Sequence, residues 1–208
     1  MEKLNMMNVK RVSLVAMSLV VALSIFGCLD GIDKKEKHYK RGLKYFQNSQ
    51  YPEAVIEFKN VIQIDPNDAQ AHLYLGLSYL KQRRFQDLQA AYQAFQKTVE
   101  LDPNLIEGHL RLGELYFLAK DYKKAEQEAR TALTLIQQST EQKLVEPSGE
   151  SSISIKVEGY LLLGNSLAGF KEYPEAREAV ETAIKLDPKR ITSYLILAKH
   201  DLLEEDYA

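Results

Sequence analysis

The chain has 208 residues, 45% hydrophobic and 27% charged, with a formal net charge of −2, which is an ordinary globular composition. That balance gives no electrostatic footing for nucleic acid, whose binders carry a basic stripe. The single cysteine excludes an intrachain disulfide and a cysteine metal cluster.

The N-terminus opens with a basic stretch holding Lys3, Lys10 and Arg11, then runs uncharged and apolar from Val12 to Phe26. A bilayer-spanning helix needs about 20 such residues. The shorter run therefore fits the core of a secretory leader, residues 1–27. It closes on Ile25-Phe26-Gly27-Cys28, with an aliphatic residue three before the cysteine and a small one directly before it. This resembles the lipobox of bacterial lipoproteins. The resemblance implies that Cys28 is lipidated and becomes the mature N-terminus, with 28–34 as lipidated cysteine and polar tether. Each buried methylene of an acyl chain adds about 0.8 kcal/mol of membrane affinity. Leu29, not an aspartate, follows the cysteine. In the Gram-negative sorting rule this leans to the outer membrane over the inner, facing the periplasm.

One phrase then recurs four times: YPEAVIEFKNVIQIDP at 51–66, AAYQAFQKTVELDP at 90–103, YKKAEQEARTALTLI at 122–136 and YPEAREAVETAIKLDP at 173–188. Each follows a glycine-containing helical phrase, and Gly42 and Gly76 set a period of 34 residues. A two-helix repeat of about that length predicts a solenoid. The repeats are 35–68, 69–105, 106–139 and 157–190, and 191–208 forms the first helix of an incomplete fifth. The second repeat carries three extra residues near Arg83–Gln86, in the turn between its helices. Residues 140–156, with Pro147, Ser148 and Gly149, form an inserted loop, and 153–156 begin the next helix early.

Glycine in a helix interior costs about 1 kcal/mol against alanine. Its recurrence at Gly42, Gly76, Gly113 and Gly164 predicts close helix–helix contacts, with Ala54, Ala91, Ala125 and Ala176 as the facing small residues. Asp-Pro at 65–66, 102–103 and 187–188 ends the second helices, because the residue before proline is pushed out of the α region. Apolar positions such as Val55, Phe58, Val61 and Ile62 fall at helical spacing. No stretch alternates with period two, so the fold class is all-α.

These positions resemble the tetratricopeptide repeat (TPR), whose 34-residue frame has small residues at positions 8, 20 and 27, large ones at 11 and 24, and proline at 32. Gly42, Ala54, Val61, Tyr45, Phe58 and Pro66 occupy those places in the first repeat. The resemblance implies a right-handed TPR α-solenoid of helix-turn-helix repeats. It also implies a concave face that takes protein partners, lined by positions 2, 5, 9, 12 and 13 of the first helices. Here that groove is Tyr39, Leu43, Phe46, Leu73, Leu77, Leu80, Leu110, Glu114, Phe117, Leu161 and Asn165, an apolar and aromatic set. An apolar groove of this kind suits a partner helix or extended segment. At the far end, Tyr194, Leu195, Leu197 and Leu202 lack a second helix to pack on.

His38, His72 and His109 recur at position 4 of their repeats, where later copies have Tyr160 and Tyr194. Successive repeats hold them too far apart to share a zinc ion with ligand bonds of about 2 Å, so they are expected to be packing residues. No phosphate loop, nucleophile elbow or zinc-protease motif is present. The expectation is a non-enzymatic scaffold without cofactor or metal, binding neither nucleic acid nor a small-molecule substrate. The lipobox followed at once by this array is similar to the TPR-repeat lipoproteins of the PEP-CTERM/exosortase system of Gram-negative bacteria. That resemblance implies a role in exopolysaccharide production and surface-protein sorting. The alternative is a helper lipoprotein for pilus, secretin or outer-membrane protein assembly.

Overall fold

The structure, a computed structural model, describes residues 32–141 and 152–205. The leader, Cys28 and most of the inserted loop lie outside the described residues. Those described form nine helices and no strand. They are α1 (32–47), α2 (Tyr51–Ile64), α3 (Ala69–Lys81), α4 (Asp87–Leu101), α5 (Ile106–Leu118), α6 (Tyr122–Glu141), α7 (Ser152–Gly169), α8 (Tyr173–Leu186) and α9 (Ile191–Glu205). Each helix from α2 onward packs on its chain neighbours, and α5, α7 and α9 touch in succession. That nearest-neighbour order is the solenoid expected from the repeat.

The Asp-Pro pairs end the second helices through a compound device. Asp65, Asp102 and Asp187 sit at the C-caps of α2, α4 and α8 with φ between −132° and −137°. Each also accepts, through Oδ1, the backbone N–H two residues on, at 3.0–3.1 Å. Proline blocks the helix and the aspartate side chain sets the turn into the next repeat. The third repeat lacks the pair, and α6 accordingly runs on to Glu141. The next helix begins at Ser152, ahead of the repeat frame. Its early turn is anchored by Ile155, 5% exposed, in the cluster that also buries Ile136.

The turns inside the repeats use no glycine. Ser49, Arg83, Lys120 and Lys171 take positive φ of 56–66° at equivalent places. After α1, α5 and α7 the backbone closes in paired bonds, as where Asp121 N–H donates to Tyr116 O and Lys120 N–H to Phe117 O, both at 2.9 Å. This is the Schellman ending, which glycine normally occupies.

The mid-helix glycines do mark close approaches, but the group that fills the space differs from expectation. A Cβ on Gly42 would lie 2.8 Å from the Phe58 ring, and one on Gly76 2.5 Å from Phe95. The large residue of the second helix, not the small one, abuts the glycine. In the third repeat the equivalent of Phe58 is Ala129, and Leu162 of α7 reaches across to within 2.6 Å of the Gly113 position instead. Ala125 and Ala176 contribute only backbone oxygens near Gly113 and Gly164.

Candidate functional groove

The first helices form one wall, and spacing along each decides what faces inward. On α3, Tyr74, Leu77 and Lys81 follow at three and four residues; on α5, Glu107, Arg111 and Glu114 do the same, so each set shares a stripe. With Phe46 of α1, Leu80 of α3, Arg83 in the turn after it, and Glu158 of α7, they line a cavity of about 580 Å³. One side is apolar and aromatic. Phe46 and Tyr74 meet edge-on with ring centroids 5.6 Å apart, and Tyr74 stacks on Phe58 at 5.4 Å.

The other side is an ionic cluster. Arg111 donates from Nη1 to Glu114 Oε1 at 2.7 Å and from Nη2 to Glu158 Oε2 at 2.9 Å. Its Nε lies 3.7 Å from Glu107 and makes no hydrogen bond. Arg190 approaches the second oxygen of Glu158 at 3.5 Å. Burial works against the Arg111 charge, but Glu114, Glu158 and Glu107 hold it firmly protonated. Burial pushes the Glu114 carboxyl above the usual range, and Arg111 offsets this only in part.

Four of the eleven expected groove residues line this cavity: Phe46, Leu77, Leu80 and Glu114. Phe117 and Asn165 line a second cavity of about 190 Å³ with Tyr122, Lys199 and His200. There the His200 Nε2 lies 3.3 Å from Asn165 Oδ1, its Nδ1 has no partner, and burial lowers its pKa. Tyr39 and Leu43 are half-buried against the cluster of Phe58 and Ala54. Leu73, Leu110 and Leu161 are corrected: at 2%, 1% and 7% exposure they belong to the core. Leu73 and Leu110 stand one residue before the cavity-lining Tyr74 and Arg111, and one residue turns a side chain by about 100°, toward the second helix. The groove is also not purely apolar. Tyr74 and Arg111 add position 6 to the groove, and Glu107 and Glu158 fill position 2, a place in the expected frame whose residues are not in the expected set.

The histidines have a recurrent structural role beyond packing. His109 contacts Glu128 Oε2 at 2.6 Å through Nδ1 and the Pro103 carbonyl at 2.9 Å through Nε2. His72 meets the Pro66 carbonyl at 3.0 Å, and the Tyr194 hydroxyl donates to that of Pro188 at 3.1 Å. His38 pairs with Glu57 at 2.6 Å. Position 4 thus ties α3, α5 and α9 to the proline turn before them, and α1 and α5 to their own second helices. Among the described residues no three metal-ligating side chains gather, and no helix is long and apolar enough to cross a membrane.

Family models describing the TPR repeat or tetratricopeptide repeat match residues 42–82, 70–104, 106–139 and 157–190. No curated protein matches the chain. Among solved structures, MamA from Desulfovibrio magneticus RS-1 is similar with a TM-score of 0.65 at 21% identity, covering 84% of this chain and 87% of that one. The Pseudomonas aeruginosa pilF structure gives 0.64 at 19% identity, covering 85% and 72%. The TPR2B domain of yeast Sti1, solved in a pHsp70 complex, gives 0.51 at 23%, covering 64% and 95%. At these identities the likeness is one of fold.

Proposed function

The chain belongs to the tetratricopeptide-repeat proteins, and from that premise we propose that it is a non-catalytic scaffold that holds protein partners in its groove. The observation that carries this reading is the 580 Å³ cavity built by four first helices, apolar on one wall and ionic on the other. A partner helix or extended segment seats an apolar side chain against Phe46, Tyr74, Leu77 and Leu80. The Arg111 cluster, already bonded to two carboxylates with a third nearby, fixes its orientation more than it adds affinity, as buried ion pairs do. The scaffold is tethered through lipid at Cys28, periplasm-facing, and serves an exopolysaccharide or exosortase system; the lipobox and the array that follows it support this reading.

Two experiments test the two halves separately. A photo-crosslinking residue in place of Leu80 in cells yields one defined partner adduct, and Phe46→Asp removes it while far-UV circular dichroism stays helical. Equal adducts from Ile56, 59% exposed on α2, would show that the groove is not the docking face. Cys28→Ser moves the protein from the membrane pellet to the soluble fraction; pelleting that survives both the substitution and high salt removes the lipid anchor. An adduct with a pilus or outer-membrane assembly factor assigns the scaffold to that machinery instead.

A further inference from the structure

The turns inside the repeats all lie at one edge of the solenoid, and in the two central repeats that edge is basic and tipped with apolar side chains. Over 81–87 there are three cations, Lys81, Arg83 and Arg84, against Asp87; over 118–124 there are three, Lys120, Lys123 and Lys124, against Asp121. Asp121 is matched by Lys124 at 2.9 Å. The opposite edge carries Asp65, Asp68 and Asp102, with Lys35 paired to the first two at 2.9 and 3.1 Å. From the basic edge Phe85 projects with 89% of its surface exposed and Leu118 with 67%. Phe170, 41% exposed, continues the row and meets Tyr122 of the neighbouring turn at 6.1 Å.

Lys124 serves the fold, paired with Asp121 and lying 5.1 Å over the Tyr116 ring, whereas Phe85, Arg84, Lys120 and Lys123 are exposed to solvent. Phe85 belongs to the longer turn of the second repeat, which pushes it outward; it supports nothing behind it. Lys123 and Lys124 stand in the first turn of α6, where the positive end of the helix dipole disfavours cations. A protein partner needs a concave seat to make contact area, and isolated tips on separate turns offer none. A bilayer needs no such seat: it takes protruding aromatic and aliphatic side chains into the headgroup region while flanking Lys and Arg meet anionic lipid.

We infer that this edge, with Phe85 and Leu118 as apolar tips and Arg84, Lys120 and Lys123 as flanking cations, docks on an anionic bilayer surface. The inference does not rest on the tether at Cys28. The edge stands about 20 Å, the length of one helix, from the end where residue 32 enters.

The chain contains no tryptophan, so Phe85→Trp in the full-length protein reports on this edge alone. With vesicles of phosphatidylglycerol and phosphatidylcholine its emission shifts to the blue and is quenched by brominated acyl chains; with pure phosphatidylcholine, or at high salt, it does not. Adding Arg84→Gln, Lys120→Gln and Lys123→Gln weakens partition about 100-fold, since each cation near an anionic surface contributes roughly a factor of five. A control reporter, Gln63→Trp at the opposite edge, stays unshifted. The inference is overturned if Phe85→Trp does not respond, or if Gln63→Trp responds equally because the leader alone carries the chain to lipid. It is overturned as well if polyglutamate shifts the emission and vesicles do not, which assigns the edge to an acidic polypeptide.

Discussion

At the scale of single residues, the glycines and the left-handed turn residues pull stability in opposite directions. Replacing a mid-helix glycine by alanine gains about 1 kcal/mol of helix propensity, so its net effect depends on what the new methyl meets. At Gly76 it meets the ring of Phe95, which is fully buried and cannot yield. Gly76→Ala is therefore expected to destabilise by about 1–3 kcal/mol, the range for overpacking. At Gly113 the nearest atom is the end of the Leu162 side chain, which can swing aside, so Gly113→Ala stays within about 1 kcal/mol of the parent. Urea unfolding of the two variants checks the order; equal losses would mean that both sites are equally rigid. Lys120 holds φ at 61° with no compensation for its Cβ. Left-handed backbone costs a non-glycine residue about 1–2 kcal/mol, part of which glycine returns as unfolded-chain entropy. Lys120→Gly is expected to raise the melting temperature, by about 0.5–1 kcal/mol of added stability.

At the scale of the helix pair, the contact of His109 with Glu128 and Pro103 gives the third repeat a pH dependence. Burial lowers the His109 pKa, but the hydrogen bonds it donates to Glu128 and the Pro103 carbonyl, with the Glu128 charge, outweigh it and leave the value above the ordinary 6.5. A group that binds its proton more tightly when folded stabilises below its unfolded pKa and loses that contribution as pH rises through the folded one. His200, lowered by burial, acts the other way, contributing above 6.5 and losing that contribution as pH falls through its folded value. Relative to His109→Gln, the parent is thus expected to gain stability as pH falls from 8 toward 6, read as the difference between the two melting curves. A constant difference would mean that the histidine pKa is the same folded and unfolded. This pairing also shows what periodicity can and cannot convey. The glycine, Asp-Pro and aromatic landmarks recur in phase because packing and chain reversal repeat, so helix order and repeat bounds are readable from them. Which side of a first helix faces the groove is not, because Leu73 and Tyr74 are both large and apolar and differ only by one step of rotation. The hydrogen bond from position 4 to a proline carbonyl is equally silent, since it ends on backbone. The left-handed turns are silent because Ser49, Arg83, Lys120 and Lys171 stand where glycine would have announced them.

At the scale of the whole molecule, a solenoid holds together only through its successive interfaces, and the one after α6 is unusual. The direct chain connection there is the long insertion, and no Asp-Pro turn sets the angle between α6 and α7. Among the contacts that span it are the apolar cluster of Ile136 with Ile155, the packing of Leu133 on Gly159 and of the Tyr122 ring on Gly169, the reach of Leu162 to Gly113, and Arg111 of α5 gripping Glu158 of α7. Arg111 is the polar tie, with its side chain 17% exposed and three carboxylates around it. Removing it leaves Glu107, Glu114 and Glu158 repelling one another in a partly buried space, a loss of about 3 kcal/mol by analogy with broken buried pairs. Because repeats exchange stability only with neighbours, that loss falls on the α5–α7 junction and not evenly along the array. Arg111→Met is therefore expected to split a single unfolding transition into two, with amide hydrogen exchange accelerating across α7, α8 and α9 while α2 to α4 keep their protection. Arg111→Lys, which restores the charge but cannot bridge two carboxylates in the same geometry, recovers part of the loss. If Arg111→Met instead lowers protection uniformly, the array unfolds as one unit and the junction is held by its apolar contacts alone.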